Sequence, residues 1–312
     1  MEDFELPQLA SECCRPNIGE VLSSVVSQID RQLKSGSGEL LLTGVSTGFP
    51  EIDRLTLGLQ AGELIVIAGR PGSGRYALAL KIVEHIAGTL GQPVVFHSLT
   101  NTVEEVGLRL LSCTSGVDSY RMRTGQLDES DWQNISSGLA TLHSALLAIE
   151  SNPRGDIESC IERTRQHAKH FGRPLGLIVI DDFHAFSFVG NQCNLSEARF
   201  NALGALHDLA VDLNTPLLIL SQLDAQVDRR HDIKPSLADL PRSGFIEAVA
   251  DTILLLHRDY DHEFDVNPPR GKRQCFIKIH EAKSRFDFSG ECQIPLAKGL
   301  MPISLHWGTQ SA

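Results

Sequence analysis

The 312-residue sequence lacks several features that would point to other classes of protein. No apolar run approaches the ~20 residues that span a bilayer. The acidic start MEDFELPQLA also has none of the character of a secretory signal, so a cytoplasmic protein with no membrane partner is expected. There is no C-x-x-C pair. The seven cysteines, Cys13, Cys14, Cys113, Cys160, Cys193, Cys275 and Cys292, are scattered and odd in number, which fits reduced thiols better than a disulfide framework. Positive charge is not in excess: 28 Lys and Arg against 39 Asp and Glu give a net charge of −11. This argues against a broadly basic nucleic-acid surface, though not against a local basic loop or an internal channel. There is no internal repeat and no low-complexity tract. His167 and His170 lie three apart on a helix without an evident third ligand, so no metal centre is expected there.

What is present reads as an α/β protein. Apolar residues make up 42% and charged residues 21%, both ordinary for a globular chain. The length suits one large α/β domain with an appendage, or two small domains. The chain is organised around Glu63 to Leu90, ELIVIAGRPGSGRYALALKIVEHIAGTL. Leu64 to Ala68 is a buried-strand pattern, Gly69, Gly72 and Gly74 permit a tight turn, and Leu78, Ile82 and Ile86 then fall at helical spacing. Strand, glycine turn and helix N-terminus make a phosphate cradle; the alternative is a Gly-rich turn that holds no ligand. The cradle's usual frame is G-x-x-x-x-G-K-[ST], and here it is Gly69, Arg70, Pro71, Gly72, Ser73, Gly74, Arg75 and Tyr76. The glycines fit and the last two positions do not. Arg75 keeps the charge as a planar fork rather than a compact ammonium, and the Tyr76 hydroxyl is too far out to replace a Ser/Thr hydroxyl on Mg²⁺.

Before this stretch, residues 1–16 have no periodicity and are expected to be disordered or loosely docked. Asn17 and Glu20 resemble a capping box, and Ile18, Val21, Leu22, Val25, Val26, Ile29 and Leu33 then mark an amphipathic helix. Lys34 to Gly38 makes a flexible linker, so 17–42 reads as helix and linker ahead of a main domain at 43–312. The helix must bury its apolar face, either on its own domain or on a neighbouring subunit. After the glycine loop, strands are expected at 93–98, 175–181, 217–221, 253–257 and 275–280. Helices are expected near 102–113, 129–149 (with Asp128 as N-cap), 155–171 and 195–213. The segments 291–296 and 302–307 could pair as a terminal hairpin. Alternating strands and helices imply a mostly parallel twisted sheet flanked by helices. Ligands in such sheets sit at the carboxyl ends of strands. Those ends carry the glycine loop, Ser98 to Thr100, Asp181 with Asp182, and Ser221 with Gln222. Asp181 has the form of a magnesium-positioning carboxylate. His184 reads as a cleft or core residue, and Trp132 as a residue that packs a helix.

In their order, TGFPEIDRLTLGLQAGELIVIAGRP, RTGQLDESDW, LGLIVIDDF, LNTPLLILSQL and DLPRSGFIEAVAD resemble the C-terminal motor domain of DnaB-type replicative helicases, a RecA-like P-loop ATPase. The likeness runs from about Ile18 to the C-terminus, and the family's primase-contacting N-terminal domain is not in this sequence. The resemblance implies ATP and Mg²⁺ as ligands, with Asp181 holding the metal and Gln222 coupling nucleotide to the DNA loop. It makes Lys283 and Arg285 a basic pair presented in trans, Arg285 as arginine finger, and helix 18–34 a linker helix that docks on the adjacent subunit. Segments 186–197 and 224–237 would line a DNA channel, with Arg229, Arg230 and Lys234 as cations. Three positions depart from the family: Arg75, Tyr76, and Thr100 where a catalytic glutamate activates water. Threonine is no carboxylate base, so Glu104 or Glu105, one helical turn on, would have to replace it.

Three functions compete on these residues. The first-ranked is a pseudo-ATPase that assembles as a ring or with an active replicative helicase. The second is an active ATP-dependent helicase with non-standard motifs, with single-stranded DNA as a partner. The third is a nucleotide-responsive module of the circadian and recombination ATPase type, against which the DnaB-like segments argue.

Overall fold

The computed structural model describes residues 18–34, 42–153, 155–188, 195–230, 233–241, 244–258, 276–285 and 290–295. The chain divides into two compact units, 1–41 and 42–312. In the first, α1 runs from Ile18 to Lys34, with Glu20 in its first turn, where a carboxylate favours the helix dipole. Ile18, Leu22, Val25 and Ile29 recur along one of its faces, as the spacing predicts. Asn17 of the expected cap, the tail 1–16 and residues 35–41 lie outside the described residues.

The second unit is built on one eight-stranded sheet. Its strands are β1 (Leu64–Gly69), β2 (Val94–Ser98), β3 (Leu147–Ser151), β4 (Leu177–Asp181), β5 (Leu217–Gln222), β6 (Thr252–Arg258), β7 (Phe276–Lys283) and β8 (Glu291–Pro295). Their spatial order is β3-β2-β4-β5-β1-β6-β7-β8. The first six are parallel, and β7 and β8 add an antiparallel edge. The helices are α2 (Pro50–Thr56), α3 (Arg75–Glu84), α4 (Val103–Ser115), α5 (Ser119–Thr124), α6 (Glu129–His143), α7 (Ile157–Phe171), α8 (Leu195–Asp212) and α9 (Phe245–Val249).

Alternation along β1 divides the core. Ile65 and Ile67 face α3 and α4, in a layer with Leu78, Ile82 and Phe96. Leu64, Val66 and Ala68 face the opposite layer, with Leu203 and Leu206 of α8 and Phe245 of α9. A strand covered on both faces needs an unbroken apolar run, and that is why LIVIA is legible as central. Asp53 of α2 is buried and accepts hydrogen bonds from the Ser46 and Thr47 hydroxyls and the Thr47 N–H, which fixes the TGFPEID segment ahead of β1. Asp128 caps α6 through a reciprocal box with Asp131, as expected.

Three expectations need correction. The helix over 129–149 stops at His143, and Leu147–Ser151 instead pairs with β2 as an edge strand. A parallel ladder satisfies those backbone groups as well as a helix does, and neither Gly nor Pro marks the change. β8 pairs with β7, while 302–307, the other half of the expected hairpin, lie outside the described residues. The short helices α2 and α5 were not expected. Trp132 is 59% exposed on α6 rather than packed beneath it. Among the described residues no helix is long and apolar enough to cross a membrane.

Candidate nucleotide site

β1 lies between β5 and β6, so the turn that follows Gly69 opens at the centre of the sheet's carboxyl edge. Gly72 and Gly74 take φ of +81° and +93°, which L side chains adopt only under strain. Gly74 is the residue from which α3 starts, and a Cβ there would meet Ile277 Cδ1 at 2.7 Å. A Cβ at Gly72 would meet nothing within 4 Å, so the backbone there borders open space. The first N–H groups of α3 have no intrahelical acceptor and face this turn. Ser73 Oγ is buried without a hydrogen-bond partner among the described residues. Open space, orphan donors and a helix N-terminus fit a phosphate group.

The two departing positions are engaged within the domain. The Arg75 guanidinium donates to Gly69 O at 3.1 Å and lies 3.6 Å from Asp182 Oδ2, folded across the loop it starts from. The Tyr76 ring packs edge-on to Phe96, with centroids 6.2 Å apart, and under the Arg109 guanidinium at 4.9 Å. Burial drives its phenol pKa up, and Asp181 adds to the effect. The ring is partly buried and packs against the core layer of α3 and β2.

Asp181 ends β4 and is 4% exposed. It accepts from Thr100 Oγ1 and from Asn101 Nδ2, each at 3.3 Å. Burial and the neighbouring Asp182 push its pKa up to about 6, against the opposing charge of Arg75. Both candidate substitute bases are engaged at the start of α4. Glu105 is the reciprocal cap of α4, its carboxylate accepting from Thr102 N at 3.1 Å. Glu104 is held below the usual range by its own backbone N–H and by Thr102, which weakens it as a base.

Gln222 ends β5 exposed, beside a cleft of ≈ 400 Å³ that Asp182, His184 and Arg70 also line. His184 Nε2 lies 3.1 Å from Ser221 Oγ, and burial lowers its pKa, as suits a neutral cleft residue. His167 pairs with Glu150 at 2.7 Å, and no cluster that could hold a metal ion occurs among the described residues. Arg70 grips Asp228, at 2.6 Å for the closest pair.

One residue was missed. Arg258, 8% exposed at the end of β6, lines a cavity of ≈ 280 Å³ with Gly72 and Ser73, and its Nε and Nη2 have no partner among the described residues. The signal was available: β6 neighbours β1, and a cation that closes an apolar parallel strand sits at the ligand end.

Lys283 and Arg285 lie apart from this site. Strand register sets Gly69 opposite Leu256 and Lys283 opposite Ile253, about 10 Å back along β6 at ~3.3 Å per residue. Lys283 Nζ donates to Glu247 O and Ala250 O, at 2.7 and 2.6 Å, closing the C-terminus of α9. Arg285 is 56% exposed and 3.7 Å from the buried Glu63. Of the cations expected in a DNA channel, Arg230 pairs with Asp239 at 2.6 Å and Lys234 pairs with Glu291. The Arg229 side chain and residues 189–194 and 231–232 lie outside the described residues.

Strand, glycine turn and helix at the centre of a parallel sheet, with a strand-end aspartate beside them, define a RecA-like P-loop domain. The chain belongs to the DnaB-like helicase C-terminal domain family, whose model matches residues 44–300. The replicative DNA helicase DnaC of Bacillus subtilis (strain 168) is 31% identical over 263 residues, covering 83% of this chain and 57% of that protein. The replicative DNA helicase DnaB of Geobacillus stearothermophilus is 30% identical over 283 residues, covering 90% and 60%. The chain thus spans little more than half the length of these relatives. Among solved structures, one described as an ATPase domain superposes with a TM-score of 0.78 at 25% identity, over 91% of this chain and 98% of that one. A DnaB-like replicative helicase, described together with its interactions with primase, superposes at 0.77 and 25%, over 91% and 66%.

Proposed function

We propose that this chain binds ATP in the cytoplasm as a motor-type domain of a DnaB-like assembly, hydrolyses it slowly in its own site, and presents Lys283 and Arg285 to the phosphates of a neighbour. The neighbour is another copy in a ring or an active replicative helicase. One observation carries the reading: the groups on Asp181 are the hydroxyl of Thr100 and the amide of Asn101, and neither takes a proton from water at neutral pH. Tyr76 packed on Phe96 and Arg75 folded onto Gly69 and Asp182 point the same way.

The cradle's own residues divide the work. The turn amides and Ser73 receive phosphate oxygens, and Arg75 supplies positive charge once it leaves Asp182. Asp181 is the carboxylate placed to hold magnesium, which when bound neutralises charge across the terminal phosphates. Tyr76 does not contribute a ligand, so the metal seat has one protein contact fewer than the family pattern. A missing general base lowers rate by about 10²–10⁴-fold, which suits a partner subunit better than a motor.

The test is ATP turnover of the full chain with and without single-stranded DNA, with Asp181→Ala as the control for contaminants. Turnover near background supports the proposal. Robust DNA-stimulated turnover that vanishes in Asp181→Ala overturns it in favour of an active helicase.

A further inference from the structure

Arg70 occupies the second position of the phosphate loop, yet its guanidinium is committed elsewhere. Nε donates to Asp228 Oδ1 and Oδ2 at 3.1 and 3.0 Å, Nη2 donates to Oδ2 at 2.6 Å, and Nη1 donates to Leu223 O at 2.9 Å. A planar fork held by one carboxylate and one carbonyl fixes direction as well as distance. Asp224 adds a second negative charge nearby.

The segment that Arg70 grips is braced on itself. Asp224 caps the 3₁₀ turn Ala225–Arg229 by accepting from Gln226 N at 3.1 Å. Asp224 N donates to Asp239 O at 2.9 Å, and Asp239 accepts from Arg230 and from Ser236 N. The segment's other tie to the loop is Leu223 N to Gly69 O at 3.2 Å, at the last step of the β1–β5 ladder. Arg70 is thus the side-chain strut between the phosphate loop and a stiff piece of chain running away from β5.

We propose that Arg70 is a positioning residue: it fixes segment 223–230 on the phosphate loop through Asp228, so that the two move as one body. This route is separate from Gln222, which leaves β5 exposed. The nucleotide step of the test rests on the function proposed above, while the strut itself does not.

The experiment is hydrogen–deuterium exchange on the full chain without nucleotide, comparing Arg70→Ala, Asp228→Asn and the double variant. Asp228→Asn keeps shape and is made at an exposed position, so it guards against a folding defect in Arg70→Ala. Each single variant is expected to raise exchange over 223–230 by about fivefold, and the double variant no further. Unchanged exchange in the singles, or increases that multiply in the double, overturns the strut.

Mg-ATP is then added. In the unmodified chain exchange falls over both 69–76 and 223–230, whereas in Arg70→Ala it falls over 69–76 alone. A response at 223–230 that survives in Arg70→Ala overturns the proposal that the two regions move together through Arg70. Protection of neither region in the unmodified chain defeats the nucleotide reading, and the nucleotide-free comparison still decides the strut.

Discussion

Thr100 Oγ1 donates to Asp181 Oδ2 at 3.3 Å, so the residue at the expected position of the base is tied to the carboxylate proposed to hold magnesium. A hydroxyl there neutralises part of the Asp181 charge without taking a proton from water. Thr100→Glu is therefore expected to raise ATP turnover by about tenfold or more, at the low end of what a general base gives because Arg75 and Tyr76 remain. Steady-state phosphate release, with Asp181→Ala as blank, measures it. No increase would mean that the loop positions and not the missing base limit the rate.

Asp181 also predicts a pH dependence. Its folded pKa of about 6 stands above the ordinary value of 3.8, because burial and Asp182 disfavour the charge. Above pH ~4 the unfolded chain has released this proton while the folded chain keeps it, so stability falls as pH rises through ~4 to ~6. The effect is at most about 3 kcal/mol. Asp181→Asn keeps the bonds to Thr100 and Asn101 and should flatten that part of the profile, making the variant the more stable protein at pH 8. Chemical denaturation at pH 5 and pH 8 compares the two. A parallel profile in Asp181→Asn would place the slope elsewhere, Glu281 being the next candidate since burial raises its pKa to about 7.

The parts of this fold that were legible were those with strong local signals. LIVIAG, LIVID and LLILS are buried on both faces and read as strands without help. β3 was not legible, because LAIES is half-buried at the sheet edge and follows α6 without a breaker. The glycine turn and the strand-end positions of Asp181 and Gln222 were legible because each follows an unbroken apolar run. The direction of a side chain was not. Tyr76 faces Phe96, and Arg70 faces Asp228, a residue 158 positions away. Arg258 escaped because β6 was read one residue short of its end.

The expected DNA face is partly neutralised by its own chain. Lys234 is held by Glu291, whose side chain is itself well exposed. Glu291→Gln should weaken the hold on that cation with little effect on folding. Single-stranded DNA binding should tighten at low salt, and the slope of log K against log salt should steepen by about 0.7, the value for one added phosphate contact. Fluorescence anisotropy across a salt series reads both. An unchanged slope would remove Lys234 from the interface.

Lys283 and Arg285 are neighbours in sequence with separable roles. Lys283 closes α9 through two carbonyls, so Lys283→Ala should destabilise the isolated chain by about 1 kcal/mol, seen as a lower denaturation midpoint. That loss needs no second subunit. Arg285 touches only Glu63 among the described residues and is largely in solvent, so its work is expected outside the chain. Mixed with an active DnaB-type helicase, the unmodified protein should change that partner's ATP turnover, and Arg285→Ala should abolish the change while both proteins still co-elute. If Arg285→Ala alters the partner's turnover as the unmodified protein does, the finger is not the route of action. If Lys283→Ala also abolishes the effect, the α9 contact is released on assembly and both cations reach across, as proposed.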